Sequence, residues 1–102
     1  MAAGAERSEA PLRIVLCSKE SQSRAWLDAL RAAFAAQGLA VDLWWRDAAR
    51  AEADADARQA EVALVWRPPA ALFAEQRALK LVYNLGAGVD ALLAMPAFPR
   101  TA

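Results

Sequence analysis

The sequence contains no histidine, which removes the most common general base and the most common metal ligand of proteins. It contains one cysteine, Cys17, so no disulfide can form within the chain. A reducing compartment is therefore expected, and we predict a cytoplasmic location. Because Cys17 closes an apolar run, it is predicted to be a small buried thiol and not a nucleophile.

The chain also lacks net charge, since twelve Lys and Arg balance twelve Asp and Glu. This balance gives no electrostatic footprint for nucleic acid or for an anionic membrane. No run of about 18 apolar residues is present, so no membrane-spanning helix is expected. Residues 1–11 contain Glu6 and Glu9 and no apolar segment, which predicts a disordered tail and not a secretory signal.

The chain is rich in apolar residues, at 58% of 102, which is typical of one globular domain or part of one. Apolar runs predict strands at 12–17, 40–45, 62–66 and 79–85. The alternation at 40–45 predicts a strand at the sheet edge, and the continuous apolar run at 62–66 predicts a central strand that is buried on both faces. Helical spacing of apolar residues from Trp26 to Gln37 predicts a helix. Gly38 is predicted to end it, and serines between 18 and 23 could cap its start. Further helices are predicted at 70–75 and 89–94, with a solvated connection over 46–58. This alternation predicts an α/β fold with a parallel sheet and right-handed crossovers.

In such a sheet, ligands bind where the strands reach their carboxyl ends. Two of the predicted ends place an arginine after a tryptophan, as Trp45-Arg46 and Trp66-Arg67. An aromatic wall with a guanidinium suits a small anionic ligand. Trp66 could equally pack in the core, and Arg67 could be an ordinary surface residue. Metal binding by Asp54 and Asp56 is not favoured, because no third ligand lies at coordinating spacing.

The stretch 81–90 reads as a strand, a Gly-x-Gly turn and the start of a helix. Such a junction directs backbone N–H groups and the positive end of the helix dipole towards one point, which favours an anion. Gly86 and Gly88 suit the turn because glycine tolerates positive φ and close approach. The alternative interpretation, a tight turn that binds no ligand, remains open. The formal match to G-x-G-x-x-A is not interpreted as a dinucleotide site, because it follows the fourth predicted strand and not the first.

Two stretches together resemble the D-isomer-specific 2-hydroxyacid dehydrogenases. They are ALVWRPP at 63–69 and LKLVYNLGAGVD at 79–90. The resemblance covers about residues 12–95 and is closest to the bacterial glyoxylate/hydroxypyruvate reductase type A branch. It implies a flavodoxin-like substrate domain, with a Rossmann cofactor domain elsewhere in the parent chain and the active site between the two.

The resemblance also implies roles for particular residues. The amides of Ala87, Gly88 and Val89 match positions that hold the substrate carboxylate, and Trp66 and Arg67 match positions that line the same pocket. The family's catalytic arginine, glutamate and histidine, and its dinucleotide fingerprint, would lie downstream. No catalytic, cofactor-binding or metal-binding residue is therefore assigned to this chain.

The resulting expectation is that residues 12–102 form the N-terminal part of a substrate-binding domain. The parent would reduce a small 2-keto acid such as glyoxylate or hydroxypyruvate with NADPH or NADH, and it could form a homodimer. The chain alone is expected to be inactive and to need the Rossmann domain as its partner. The alternative is a non-enzymatic small-anion binding or regulatory module with the same fold.

Overall fold

The computed structural model describes residues 11–87. Residues 1–10 of the predicted tail over 1–11, the predicted helix over 89–94 and residue Gly88 lie outside the described part of the chain. The described elements, in chain order, are β1 (Leu12–Ser18), α1 (Glu20–Ala36), β2 (Val41–Asp47), β3 (Val62–Val65), α2 (Ala70–Glu75), β4 (Leu81–Asn84) and a 3₁₀ turn (Leu85–Ala87).

The four strands form one parallel sheet in the order β2-β1-β3-β4. This order matches the first four strands of the flavodoxin-like arrangement. The predicted α/β fold with a parallel sheet is confirmed. The alternating pattern of β2 predicted a position at the sheet edge, and that position is confirmed as well.

The two faces of the sheet carry two separate apolar clusters. On the first face, Ile14, Leu16 and Leu64 pack with Leu30 and Phe34 of α1. On the second face, alternate residues of the central strands pack with α2, namely Val15, Cys17, Ala63, Val65 and Leu72. All four residues of β3 are buried, as its continuous apolar run predicted for a central strand.

Helix α1 ends as its sequence predicts. Gly38 has a φ of 69°, and its amide donates to the carbonyl of Ala35, while the amide of Leu39 donates to the carbonyl of Phe34. These two bonds form a Schellman motif, which satisfies carbonyls at the end of the helix. Glycine is favoured here because its φ lies in the left-handed region.

The predicted serine cap of α1 is wrong. Lys19 occupies the N-cap position without a side-chain cap, because Ser18 is still part of β1. Ser23 lies inside the helix and donates to the carbonyl of Glu20 at 2.8 Å.

Several strand boundaries differ from the prediction. Strand β1 ends one residue later than predicted, β2 begins one residue later and ends two residues later, and β3 ends one residue earlier. Strand β4 begins at Leu81 and ends at Asn84, so it is shorter than the predicted 79–85. The connection after β2 is exposed over residues 51–56, as predicted, but Arg46 belongs to β2 and is only 5% exposed.

Candidate functional site

The carboxyl ends of β3 and β4 bring Trp66 against the glycine turn. The amide of Trp66 donates to the carbonyl of Cys17 at 2.9 Å, so pairing with β1 continues one residue beyond β3. A Cβ added to Gly86 would lie 3.1 Å from Cζ3 of Trp66 and 3.2 Å from Oδ1 of Asn84. The indole ring therefore lies directly against the backbone of Gly86.

This contact corrects the reason for glycine at position 86. Among residues 11–87, Gly38 is the glycine with positive φ, and Gly86 does not share that conformation. Glycine is favoured at 86 because a Cβ would crowd the indole ring, and not because the turn needs a left-handed residue.

Arg67 combines an unusual backbone with an exposed side chain. Its φ is 51°, in the left-handed region, which costs of order 1–3 kcal/mol for a residue other than glycine. The proline that follows, Pro68, by itself favours an extended backbone at the preceding residue and does not account for this left-handed φ. The guanidinium carbon lies 5.8 Å from the centre of the Trp66 ring, within the range of a cation–π contact.

The charge of Arg67 has no carboxylate partner within residues 11–87. In this part of the chain, the cations with a carboxylate partner are Arg13, Arg46, Arg50, Arg58 and Lys80. Those without one among residues 11–87 are, besides Arg67, Lys19, Arg24, Arg31 and Arg77. Arg67 is therefore a cation that remains available at the carboxyl edge of the sheet, beside Trp66.

The turn after β4 already uses one of its amides. The amide of Gly86 donates to Oδ1 of Asn84 at 2.8 Å, so that group is not available to a ligand. Ala87 follows as the last residue of the 3₁₀ turn. Of the five predicted site residues, the structure thus places Trp66, Arg67 and Ala87 around one end of the sheet, while Gly88 and Val89 lie outside the described residues.

The other predicted Trp-Arg pair, Trp45-Arg46, does not line an anion site. Trp45 packs against the first cluster and donates its Nε1 to the carbonyl of Ser18 at 3.0 Å. Arg46 is buried and binds Glu75 through Nε and Nη2, each at 3.0 Å. Because Glu75 neutralises the guanidinium, Arg46 has no free charge to offer an anion, and this part of the prediction is wrong.

Arg46 also organises the loop after β2. Its Nη1 donates to the carbonyls of Asp47 and Arg50, and its Nη2 donates to the carbonyl of Glu52. Together with the two bonds to Glu75, these interactions use all five N–H groups of the guanidinium. A cleft of about 250 Å³ opens beside this cluster, lined in part by Trp44, Arg46 and Arg50.

Glu75 is the buried counterpart of these arginines. Its carboxylate accepts from Arg46, from the amide of Asp54 at 3.0 Å and from Arg50 at 3.4 Å. Burial by itself would raise the pKa of Glu75, but the hydrogen bonds from Arg46 and Asp54 outweigh it and lower that pKa. Glu75 is therefore ionised at neutral pH and does not supply a proton.

Periodicity did not reveal the Arg46–Glu75 pair, because its members lie 29 residues apart. The sequence did contain one indication of this pair. In β2, Leu43 and Trp45 lie on one face of the sheet, so Arg46 lies on the opposite face together with Trp44. An arginine on a sheet face that is partly apolar needs an acidic partner, and α2 provides it.

Cys17 is buried, as predicted from its apolar run. Burial, more than any neighbouring charge, raises the pKa of its thiol to about 11. The group is a protonated thiol at neutral pH, and it packs with Val15, Ala63 and Val65 in the second cluster.

The aspartates in the exposed loop have a local role. Oδ1 of Asp54 accepts from the amide of Asp56, which is the pattern of an Asx turn. Within the described range, no three potential ligands cluster around a metal position. None of the helices within residues 11–87 has the length and apolar character that a membrane-spanning segment needs.

Comparisons with known proteins identify related sequences over part of the chain. The chain is 51% identical over 53 residues to glyoxylate/hydroxypyruvate reductase A of Serratia proteamaculans, a match covering 51% of this chain and 17% of that protein. Proteins of the same name match 38 residues, or 37% of the chain, at 53% identity in Yersinia enterocolitica and 55% in Klebsiella pneumoniae.

The matched stretches cover 12–17% of the length of these three relatives. No family model and no solved structure matches the chain. The similarities confirm the resemblance to glyoxylate/hydroxypyruvate reductases that the two sequence stretches predicted.

Proposed function

We propose that this chain supplies the substrate-carboxylate site of a reductase that acts on small 2-keto acids. Residues 12–102 would form the N-terminal part of its substrate-binding domain. The observation that carries the proposal is Arg67, an exposed cation without a carboxylate partner in residues 11–87, which lies over Trp66 beside the glycine turn. The names of the three relatives support a 2-keto acid such as glyoxylate or hydroxypyruvate.

In the proposed site, the substrate carboxylate accepts hydrogen bonds from the amides of Ala87, Gly88 and Val89. Arg67 adds charge-assisted bonds to the same group, and the ring of Trp66 excludes water from one side of the substrate. Hydrogen bonds to charged groups contribute about 1.5–3 kcal/mol each, so Arg67 and the amides together could select an acid over an uncharged aldehyde.

The reduction itself requires groups outside this chain. The 102 residues contain no histidine to deliver a proton, and Gly86-Ala87-Gly88 follows β4, whereas a dinucleotide fingerprint follows the first strand of its sheet. We therefore assign NADPH or NADH, together with the catalytic groups, to a Rossmann domain in the remainder of the parent chain. A histidine and a G-x-G-x-x-G further along the natural reading frame are the expected finding.

Oxalate is a suitable probe for the carboxylate site because it resembles glyoxylate and cannot be reduced to a hydroxy acid by hydride. Titration into the 102-residue chain should shift the NMR signals of the Ala87 amide and the Trp66 indole. Replacement of Arg67 by Gln should weaken binding about 10- to 150-fold, since each 1.36 kcal/mol is a factor of ten.

Arg58 provides a matched control. Its guanidinium carbon lies 4.1 Å from the centre of the Trp44 ring, but Asp42 already binds its charge. Arg58→Gln should leave oxalate binding unchanged. Equal binding by the Arg67→Gln variant, or oxalate shifts confined to another surface, would refute the site. Equally strong binding of sulfate or acetate would favour the non-enzymatic anion module.

A further inference from the structure

The ion pair between Arg46 and Glu75 lies outside the proposed carboxylate site, yet it holds the helix that follows Arg67. Glu75 is the last residue of α2 and is 2% exposed, while Arg46 is near the carboxyl end of β2. The two side chains join through two hydrogen bonds of 3.0 Å. This bidentate pairing fixes both the distance and the orientation of the two groups.

Helix α2 is short enough to transmit this constraint to its other end. Its six residues span about 9 Å, and Leu72 fixes its centre in the second cluster. Pro68 and Pro69 precede it, and their rings restrict the backbone between Arg67 and the helix. A displacement of Glu75 would therefore move the start of α2 and the backbone of Arg67 with it.

We propose that Arg46 and Glu75 are positioning residues, which hold α2 so that Arg67 keeps its left-handed backbone and its place over Trp66. This inference rests on the proposed function for the role of Arg67, but the geometry it describes can be measured without any ligand. Gln76 offers a competing restraint, because it accepts from the amide of Ala60 and donates to the carbonyl of Arg58, each at 2.8 Å.

The first test replaces Glu75 by Gln, which keeps the size of the side chain and removes its charge. The readout is the NMR shift of the Arg67 side-chain protons, which the Trp66 ring current displaces, together with the backbone coupling constant that reports φ of Arg67. Both should move away from their wild-type values, and oxalate binding should weaken about threefold or more.

Arg50→Gln is the matched control, because Arg50 contacts the same carboxylate but is 37% exposed and lies at 3.4 Å. It should leave the signals of Arg67 unchanged. Native Arg67 signals in a folded Glu75→Gln variant would overturn the proposal and assign the restraint to Gln76.

A second variant covers the case in which Glu75→Gln does not fold. The variant Arg46→Lys keeps a positive charge beside Glu75 and loses the bidentate pairing, so it is expected to fold with a less constrained α2. Altered Arg67 signals in that variant support the positioning role, and native ones refute it. If the wild-type chain fails to bind oxalate, the proposed function fails, while the Arg67 signals still decide this inference.

Discussion

At the scale of single residues, the ring of Trp66 links Gly86 to Arg67, because it lies close to both. The absence of a side chain at Gly86 lets the indole ring lie against the backbone, and the ring in turn lies within cation–π distance of Arg67. A Cβ at position 86 would crowd this ring, so the position of the ring depends on glycine at 86.

Gly86→Ala should displace the Trp66 ring. The added Cβ would lie 3.1 Å from Cζ3, closer than ordinary van der Waals contact, and overpacking of this kind costs about 1–3 kcal/mol. The NMR signal of the Trp66 indole N–H should shift, and the free energy of unfolding should fall by about that amount.

Gly38→Ala separates steric collision from backbone strain. Nothing lies within 4 Å of a Cβ at position 38, but its φ of 69° makes any side chain unfavourable by about 1–2 kcal/mol. This variant should lose stability with an unchanged Trp66 signal. A native Trp66 signal in the Gly86→Ala variant would show that the ring and the turn are not coupled.

At the scale of elements, α1 and α2 cover opposite faces of the sheet in different ways. Helix α1 is long and stabilises the first face through fully buried residues such as Leu30 and Phe34. Helix α2 is a single short segment whose position depends on Leu72 and on polar contacts at its end. The first face should therefore contribute more to stability, and the second more to the geometry of the site.

Phe34→Ala should reduce the free energy of unfolding by about 3–5 kcal/mol, because it removes a fully buried ring and leaves a cavity in the first cluster. Phe73→Ala is the natural control, since Phe73 lies on α2 and is 45% exposed. Its expected cost is within about 0.5 kcal/mol. Urea denaturation measures both, and similar losses for the two variants would contradict the assignment of Phe34 to the core.

At the scale of the whole molecule, two buried groups shape how stability depends on pH. The pKa of Glu75 is lowered in the folded chain, from an ordinary value of 4.5. The stability that this group contributes is fully present above pH 4.5 and is lost as pH falls through the lowered folded-state value. The pKa of Cys17 is raised from 9.0 to about 11, so its contribution is fully present below pH 9.0 and is lost as pH rises towards 11.

Stability measured between pH 3 and pH 11 should therefore show a plateau with a decline at each end. The alkaline decline due to Cys17 should be about 2–3 kcal/mol, since a tenfold difference in proton affinity is worth 1.36 kcal/mol. Cys17→Ala should reduce the alkaline decline, and Glu75→Gln should reduce the acid decline. An unchanged alkaline slope in the Cys17→Ala variant would contradict the link to the thiol.

The sequence by itself determined the features that arise from neighbouring residues. The alternation of apolar and polar residues in β2 predicted its place at the sheet edge, and the continuous apolar run of β3 predicted its place at the centre. Helical spacing and Gly38 predicted the buried face and the end of α1. These features depend on backbone geometry that repeats every two or 3.6 residues, so a short window of sequence contains them. The two stretches at 63–69 and 79–90 likewise sufficed for the resemblance that the three relatives confirm.

Only the tertiary structure decided which of two Trp-Arg pairs keeps a free cation. Arg46 meets Glu75 across 29 residues, and Trp66 meets Gly86 across the ends of two neighbouring strands. Such contacts depend on strand order and on which face a short helix covers, and neither is encoded in local spacing. Burial determines which arginine keeps a free charge. Arg46 is buried and therefore requires a carboxylate partner, whereas Arg67 is exposed to solvent and does not.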